Sequence, residues 1–135
     1  MNQILLVNPE KEIFKTLELS FSENGFTTQW TGTAENALHL IAKKKFDLVI
    51  LHEQLPDMTG RKLVEAVINL NAMMNCIVIS ALSKEEFHEV YEGLGVLMQF
   101  PLLPGKADAQ RLFDHLARIS RISNQIQGVK GDRIP

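Results

Sequence analysis

The sequence predicts an α/β fold in which helices cover both faces of a five-stranded parallel sheet, a doubly wound arrangement. Four short apolar runs, at residues 4–7, 48–51, 77–79 and 96–98, are continuous rather than alternating, as in strands that are buried on both faces. Amphipathic helical patterns separate these runs, and such alternation indicates right-handed βαβ units. The chain has 135 residues, which suits one domain.

The remaining elements follow from weaker local signals. Residues 27–30 are a strand candidate nearer the edge of the sheet. Thr33 is a candidate N-cap for the second helix, the third helix follows Gly60, and Ser83 with Glu86 forms the capping-box pattern that starts the fourth. Apolar residues spaced three or four apart define the buried helix faces. These are Ile13, Phe14, Leu17 and Phe21; Ala37, Leu38 and Ile41; Leu63, Val64, Val67 and Leu70; and Leu112, Phe113, Leu116 and Ile119.

Composition narrows the function classes. Hydrophobic residues make up 45% of the chain, charged residues 22%, and the formal net charge is −2, so we expect no direct binding to nucleic acid or to anionic membranes. Cys76 is the single cysteine, which excludes an internal disulfide and suits a reducing compartment. No apolar run approaches the roughly 18 residues of a membrane-spanning helix. The amino terminus leads straight into the first strand without a signal peptide. We therefore expect a cytoplasmic protein.

The candidate site lies where the strands end, because doubly wound folds place their working site at the carboxyl ends of the strands. The residues predicted to meet there are Asn8, Pro9 and Glu10 after the first strand, His52 after the third, Ser80 after the fourth, and Phe100 after the fifth. No phosphate-binding glycine loop occurs, no nucleophile elbow surrounds Ser80, and the other histidines lack metal-ligand spacing. We therefore expect no enzymatic activity, no metal site and no cofactor.

Residues 46–60, Phe-Asp-Leu-Val-Ile-Leu-His-Glu-Gln-Leu-Pro-Asp-Met-Thr-Gly, resemble the acceptor segment of the receiver domains of bacterial response regulators. The resemblance covers about residues 3–119 and implies the flavodoxin-like (βα)5 fold of that family. Its other matches are Leu5-Leu6-Val7 before the acidic pair, Pro56, Met58 and Gly60 after the acceptor, the hydroxyl-small pair Ser80-Ala81, and Gly93 and Pro101 around the lysine-proline element.

The resemblance also implies that most of the family's phosphorylation chemistry is missing. The acceptor aspartate corresponds to His52, the acidic pair to Asn8 and Pro9, and the lysine to Phe100. Only the hydroxyl of Ser80 remains, with Glu10 just beyond the acidic pair. A receiver uses a carboxylate nucleophile, Mg²⁺ held by hard oxygen ligands, and a cation for the phosphoryl oxygens. We therefore expect a degenerate receiver, or pseudo-receiver, with Mg²⁺ binding lost or weak. The family's cis bond before proline predicts a cis Phe100–Pro101 peptide.

The partners implied by the resemblance are signalling proteins, namely a histidine kinase, an output domain or another regulator. His88 and Tyr91 lie three residues apart in the fourth helix, on one predicted exposed face. With Leu97 and Met98 they form the candidate partner surface. Leu97 replaces the aromatic residue of the family's switch, and the stretch before Gly93 is shorter than usual, which predicts a short or displaced fourth helix.

We divide the chain into a receiver-like domain, residues 1–122, and a C-terminal extension, residues 123–135. Leu112, Leu116, Ile119 and Ile126 continue the fifth helix with a spacing that resembles a weak coiled-coil seam. The residues from Gly128 onward are typical of a flexible linker. The extension is therefore predicted to lead to an output domain or to support a homodimer.

Three functions remain open at this stage. The first is a pseudo-receiver in a two-component phosphorelay that acts through protein–protein interaction without phosphorylation on aspartate. The second is an unconventional phospho-receiver that uses His52 or another non-standard group. The third is a doubly wound domain that binds a small molecule. Incorporation of phosphate would distinguish the second, and the missing ligand-binding motifs count against the third.

Overall fold

The structure, a computed structural model, describes the backbone of residues 3–131 and the side chains of residues 3–119. It contains a five-stranded, wholly parallel sheet with the strand order β2-β1-β3-β4-β5. The doubly wound α/β fold predicted from the sequence is confirmed. The strands are β1 (Gln3–Val7), β2 (Thr27–Thr31), β3 (Leu48–His52), β4 (Asn75–Ile79) and β5 (Met98–Phe100). The helices are α1 (Lys15–Glu23), α2 (Ala34–Lys43), α3 (Gly60–Leu70), α4 (Lys84–Tyr91) and α5 (Lys106–Gly131), with a 3-10 turn, Lys11–Phe14, before α1.

The sheet separates two apolar cores because successive side chains of a strand face opposite ways. Ile4 and Leu6 enter the core beneath α1 and α5, which also holds Phe14. Leu5 and Val7 enter the core beneath α2 and α3. All four of these β1 side chains are fully buried. Burial of each such side chain contributes about 1.5–3 kcal/mol, so the central strands anchor both halves of the domain.

The helix starts agree with the capping signals in the sequence. Thr33 accepts a hydrogen bond from the Asn36 N–H at 3.2 Å, which begins α2. The capping box of α4 is complete, because Ser83 and Glu86 each accept the other's backbone N–H at 3.1 Å. With eight residues α4 is the shortest α-helix of the described chain, as the short spacing predicted.

Two predictions around β5 are wrong. The strand spans Met98–Phe100 rather than 96–98, because the apolar run begins before the pairing does: Ile77 is level with Met98. Phe100 therefore ends the strand instead of following it, and His52 likewise ends β3.

The peptide bond before Pro101 also differs from the prediction. No peptide bond within residues 3–131 is cis, so Phe100–Pro101 is trans. An X–Pro bond favours trans by about 0.5–1 kcal/mol, and the buried Phe100 ring is accommodated in that isomer.

The division of the chain at residue 122 into a domain and a helix extension or linker stays a prediction. α5 continues without interruption to Gly131, so the linker expected from Gly128 is helical as far as that residue. A single glycine costs a helix only about 1 kcal/mol relative to alanine, which is too little to end one. Leu112 is fully buried in the α1/α5 core, so the predicted seam begins inside the domain. The side chain of Ile126 and residues 132–135 lie outside the described residues.

Within residues 3–131, no helix has both the length and the apolar character needed to cross a membrane.

Replacement of Gly60 by alanine should destabilise the fold. An added Cβ would lie 2.5 Å from the Cα of Glu53, which is backbone and cannot turn aside. The start of α3 would have to move, at a cost of about 1–3 kcal/mol. Gly32→Ala is the control, because its Cβ would meet only ordinary contacts at 3.6 Å and beyond. Urea unfolding of both variants measures the difference, and equal stabilities would contradict the steric argument.

Candidate functional site

The structure brings the predicted site residues to one edge of the sheet. Val7 pairs with Leu51, so Asn8, directly after β1, and His52, the last residue of β3, lie at the same edge of the sheet. His52 pairs with Ile79 and Ile79 with Phe100, which continues the row across the sheet. Adjacent strands lie about 4.8 Å apart, so residues in this row are near neighbours.

Each polar side chain of this row bonds back to its own loop. Asn8, His52 and Ser80 all accept the backbone N–H of the residue two positions later, the geometry by which short polar side chains shape turns. The three bonds are Glu10 N–H to Asn8 Oδ1 at 2.6 Å, Gln54 N–H to His52 Nδ1 at 3.1 Å and Leu82 N–H to Ser80 Oγ at 3.0 Å. The bond to His52 requires an unprotonated Nδ1. The site residues are thus held by local turns.

The loop after β1 is also fastened to β2. The indole Nε1–H of Trp30 donates to the Asn8 carbonyl at 2.8 Å, and the Asn8 N–H donates to the Thr31 carbonyl at 3.1 Å. Lys11 lies over the Trp30 ring, with Nζ 5.7 Å from its centroid. Asn8 is only 5% exposed as a result. Trp30 was not among the predicted site residues, because β2 gave the weakest strand signal and the site was predicted from the ends of the other four strands.

Beyond Ser80, the site is closed by packing. Phe100 is fully buried in the α1/α5 core, so its ring serves core packing. The neighbouring Gln99, which the sequence analysis also missed, donates from Nε2 to the carbonyl of Leu82 at 2.8 Å and to that of Ser80 at 3.3 Å. Gln99 therefore ties β5 to the loop that precedes α4.

Asp57 has a structural role that its sequence position did not reveal. From the loop after β3 its carboxylate accepts the N–H groups of Ala34 at 3.0 Å and Glu35 at 2.9 Å, at the start of α2. Desolvation alone would raise the pKa of Asp57, but these two bonds and its own backbone N–H lower that pKa overall. Together with Thr33, Asp57 satisfies the first backbone donors of α2.

Glu53 and Tyr91 join the acceptor loop to α4. Glu53 faces away from His52, and its carboxylate lies beside the Tyr91 hydroxyl. Burial first, and then the charge and hydrogen bonding of Glu53, raise the pKa of Tyr91 far above its ordinary value, while Arg61 opposes the shift. Arg61 also donates to the carbonyl of Val90 near the end of α4. The exposed position predicted for Tyr91 is wrong: it is only 5% exposed, because its ring packs on Phe87 with centroids 4.6 Å apart.

The rest of the predicted partner surface does come together. His88, Leu97 and Met98 line one groove between α4, β5 and the start of α5. His88 is exposed, whereas Leu97 and Met98 are half-buried. Exposed Leu102 lines the same groove and adds apolar surface.

Other reactive groups are sparse in the part of the chain that the structure describes. It contains no cluster of three or more His, Cys, Asp or Glu side chains arranged to hold a metal ion. Cys76 is buried, and desolvation raises its pKa to about 12, so its thiol stays protonated near neutral pH.

Known proteins share sequence with most of this chain. Residues 4–98 match the family described as the response regulator receiver domain. The chain is 32% identical to the Regulator of RpoS of Escherichia coli K12 over 110 residues, or 82% of this chain and 32% of that protein. It is 26% identical to the Sporulation initiation phosphotransferase F of Bacillus subtilis over 101 residues, or 74% of this chain and 82% of that protein. Against the E. coli regulators AtoC and CusR it spans only 19% and 37% of their lengths.

Solved structures agree with the observed fold. The chemotaxis response regulator CheY4 of Vibrio cholerae superimposes with a TM-score of 0.76 at 17% identity, covering 85% of this chain and 98% of that one. The signal receiver domain of an HD domain-containing protein from Pseudomonas fluorescens Pf-5 gives 0.74 at 22% identity, covering 93% and 91%. At these identities the likeness establishes the fold alone.

Asp57→Asn should destabilise the protein in a pH-dependent way. The lowered pKa means that the carboxylate stabilises the folded state above the ordinary pKa of aspartate, and that this contribution is lost as pH falls through the folded-state value. At neutral pH we expect the free energy of unfolding to fall by about 0.5–1 kcal/mol. This value lies in the lower part of the range for loss of a helix N-cap, because Asp57 is exposed.

The free energies of unfolding of the parent chain and of Asp57→Asn should therefore converge as the pH is lowered towards 3, in the range where aspartate is protonated. Glu89→Gln, which removes an exposed carboxylate on α4, is the control. A constant gap at all pH values would show that Asp57 does not act through its charge.

Proposed function

The chain belongs to the response-regulator receiver family, and we propose that it acts in two-component signalling as a pseudo-receiver, a protein-interaction module that is not phosphorylated on aspartate. The observation that carries this proposal is the set of three local turns, in which the side chains of Asn8, His52 and Ser80 each accept a hydrogen bond from a backbone N–H of their own loop. Phosphoryl transfer needs side chains preorganised towards a common reacting centre. Here the side chains are organised towards their own backbone.

The acceptor position argues most directly against aspartyl phosphorylation. His52 offers an imidazole in place of a carboxylate nucleophile, and its Nδ1 already accepts the Gln54 N–H. The neighbouring acids do not replace it. Glu53 lies beside Tyr91 on the other side of the strand, and Asp57 holds the start of α2.

The residues present do not suit a Mg²⁺ ion, which favours octahedral coordination by hard oxygen ligands. Asn8 contributes a neutral amide oxygen that is already bonded to the Glu10 N–H, and Pro9 contributes no side-chain ligand. Glu10 leaves a single carboxylate near the predicted position, too few to attract the ion strongly. The Phe100 ring cannot supply the cation that would balance the charge of a phosphoryl group, and it is buried in the α1/α5 core.

The output of such a module would be binding, and the groove of α4 and β5 is the surface we propose for it. Exposed His88 and Leu102 lie beside half-buried Leu97 and Met98, a polar and apolar mixture typical of non-obligate interfaces. The partners we propose are a histidine kinase, an output domain or another regulator, in the cytoplasm. We propose no enzymatic activity and no contact of this domain with nucleic acid. The homodimer through α5 stays a prediction.

Titration with Mg²⁺ and then beryllofluoride, a phosphoryl mimic, tests the pocket. Trp30 is the only tryptophan of the chain and donates to the Asn8 carbonyl, so its indole resonance reports on the site directly. We expect no saturable shift of this resonance, or of the amides of His52 and Ser80. Asn8→Asp is the matched comparison, because the added carboxylate should bind Mg²⁺ more tightly than the parent chain does.

A saturable response of the parent chain that spreads to α4 would mean that the pocket is a working switch, and the pseudo-receiver proposal would then fail. Incorporation of phosphate that is lost in His52→Ala would instead identify the unconventional phospho-receiver.

Substitutions in the proposed interface test the output. We expect His88→Ala with Met98→Ala to abolish binding to the partner found in a two-hybrid screen of the source organism's histidine kinases and output proteins. His52→Ala should leave that binding intact, because its side chain serves a local turn. The reverse pattern would place the interaction at the degenerate pocket. Circular dichroism of each variant controls for folding.

A further inference from the structure

The seam between α2 and α3 carries an apolar groove that runs towards the end of the sheet opposite the candidate site. Leu38 and Ala42 of α2 line its upper part together with Ala66 and Leu70 of α3. Ala42 and Leu70 also line the lower part, so the two parts are continuous. Leu70 is 53% exposed, although an apolar residue of the predicted buried face would be expected to be covered.

The lower end of the groove has a basic rim. Lys43, Lys44 and Lys45 line it, and no acidic side chain lines this lower part. Lys44 Nζ donates to Gln29 Oε1 at 2.9 Å and lies 5.6 Å from the centroid of the Phe46 ring. Within residues 3–119, none of the three lysines forms an ion pair, so their charge is available.

A solvated helix end explains the lysines alone, because cations favour the carboxyl end of a helix. It does not explain the apolar surface beside them. Met73, which follows α3, is 86% exposed and lines a second hollow. This hollow adjoins the groove, because Met74 lines both of them. Single exposed apolar residues are ordinary, but a groove with an apolar floor and a charged rim is typical of a binding site.

We propose that the α2/α3 groove binds an amphipathic acidic helix of a partner protein. Its apolar side chains, at positions i, i+3 or i+4 and i+7, would lie on Leu38, Ala42 and Leu70. Its carboxylates would face Lys43 and Lys45 at the lower end, away from Glu35, which lines the upper part. The lining extends along α2 and into residues 43–46, an elongated surface that favours a helix, and the ten residues of α2 measure about 15 Å, or nearly three helical turns. This surface lies apart from the groove of α4 and β5 and goes beyond the function proposed above.

Selection from a library of random peptides of about 16 residues, long enough for four helical turns, tests the proposal. We expect the bound peptides to be rich in acidic and apolar residues at helical spacing, and their amide shifts to map to α2 and α3. Lys43→Glu with Lys45→Glu should weaken binding by roughly tenfold or more and reduce its salt dependence. Leu70→Gln, at a position that is 53% exposed, should weaken binding without changing the salt dependence.

Lys15→Glu with Lys106→Glu is the matched control, because it makes the same change of net charge on other helices. Selected peptides that lack carboxylates, that map to another surface, or that bind the charge-reversed variant equally well would overturn the proposal, as would failure to select any peptide at the groove. Binding to phosphatidylserine vesicles in place of peptides would identify a membrane contact and overturn it equally.

Discussion

The structure depends on a sheet that is buried on both faces. The side chains of Ile4 to Val7 are fully buried, half in each core, and β3 repeats the pattern. This alternation places His52 on the same side of β3 as Leu48 and Ile50, whereas Glu53, just beyond the strand, meets Tyr91 of the α2/α3 core. The position of the candidate site is therefore a consequence of core packing.

Much of the fold could be predicted because its signals are local and strong. Continuous apolar runs mark β1 and β3, and Ser83 with Glu86 marks the start of α4. The errors arose where tertiary contacts decide. Pairing with β4, rather than hydrophobicity, sets the bounds of β5. Helical spacing alone could not predict that Tyr91 would be buried against the ring of Phe87.

The candidate site was found by a general rule about strand ends, but its geometry could not have been read from residue types. Asparagine, histidine and serine can each bind a ligand or close a turn, and the partners they use here are backbone N–H groups, which every residue but proline carries. Asp57 illustrates the same limit, since its partners at the start of α2 precede it by more than twenty residues.

The contact between Tyr91 and Glu53 links the position of α4 to the pKa of the Tyr91 phenol. A displacement of α4 that carries Tyr91 into water would return its pKa towards that of free tyrosine, and ionisation of the phenol would in turn favour the displaced helix. Tyr91 is the only tyrosine of the chain. We therefore expect the phenolate absorbance at a fixed alkaline pH to report a displacement of this helix, without a label and without background from a second tyrosine.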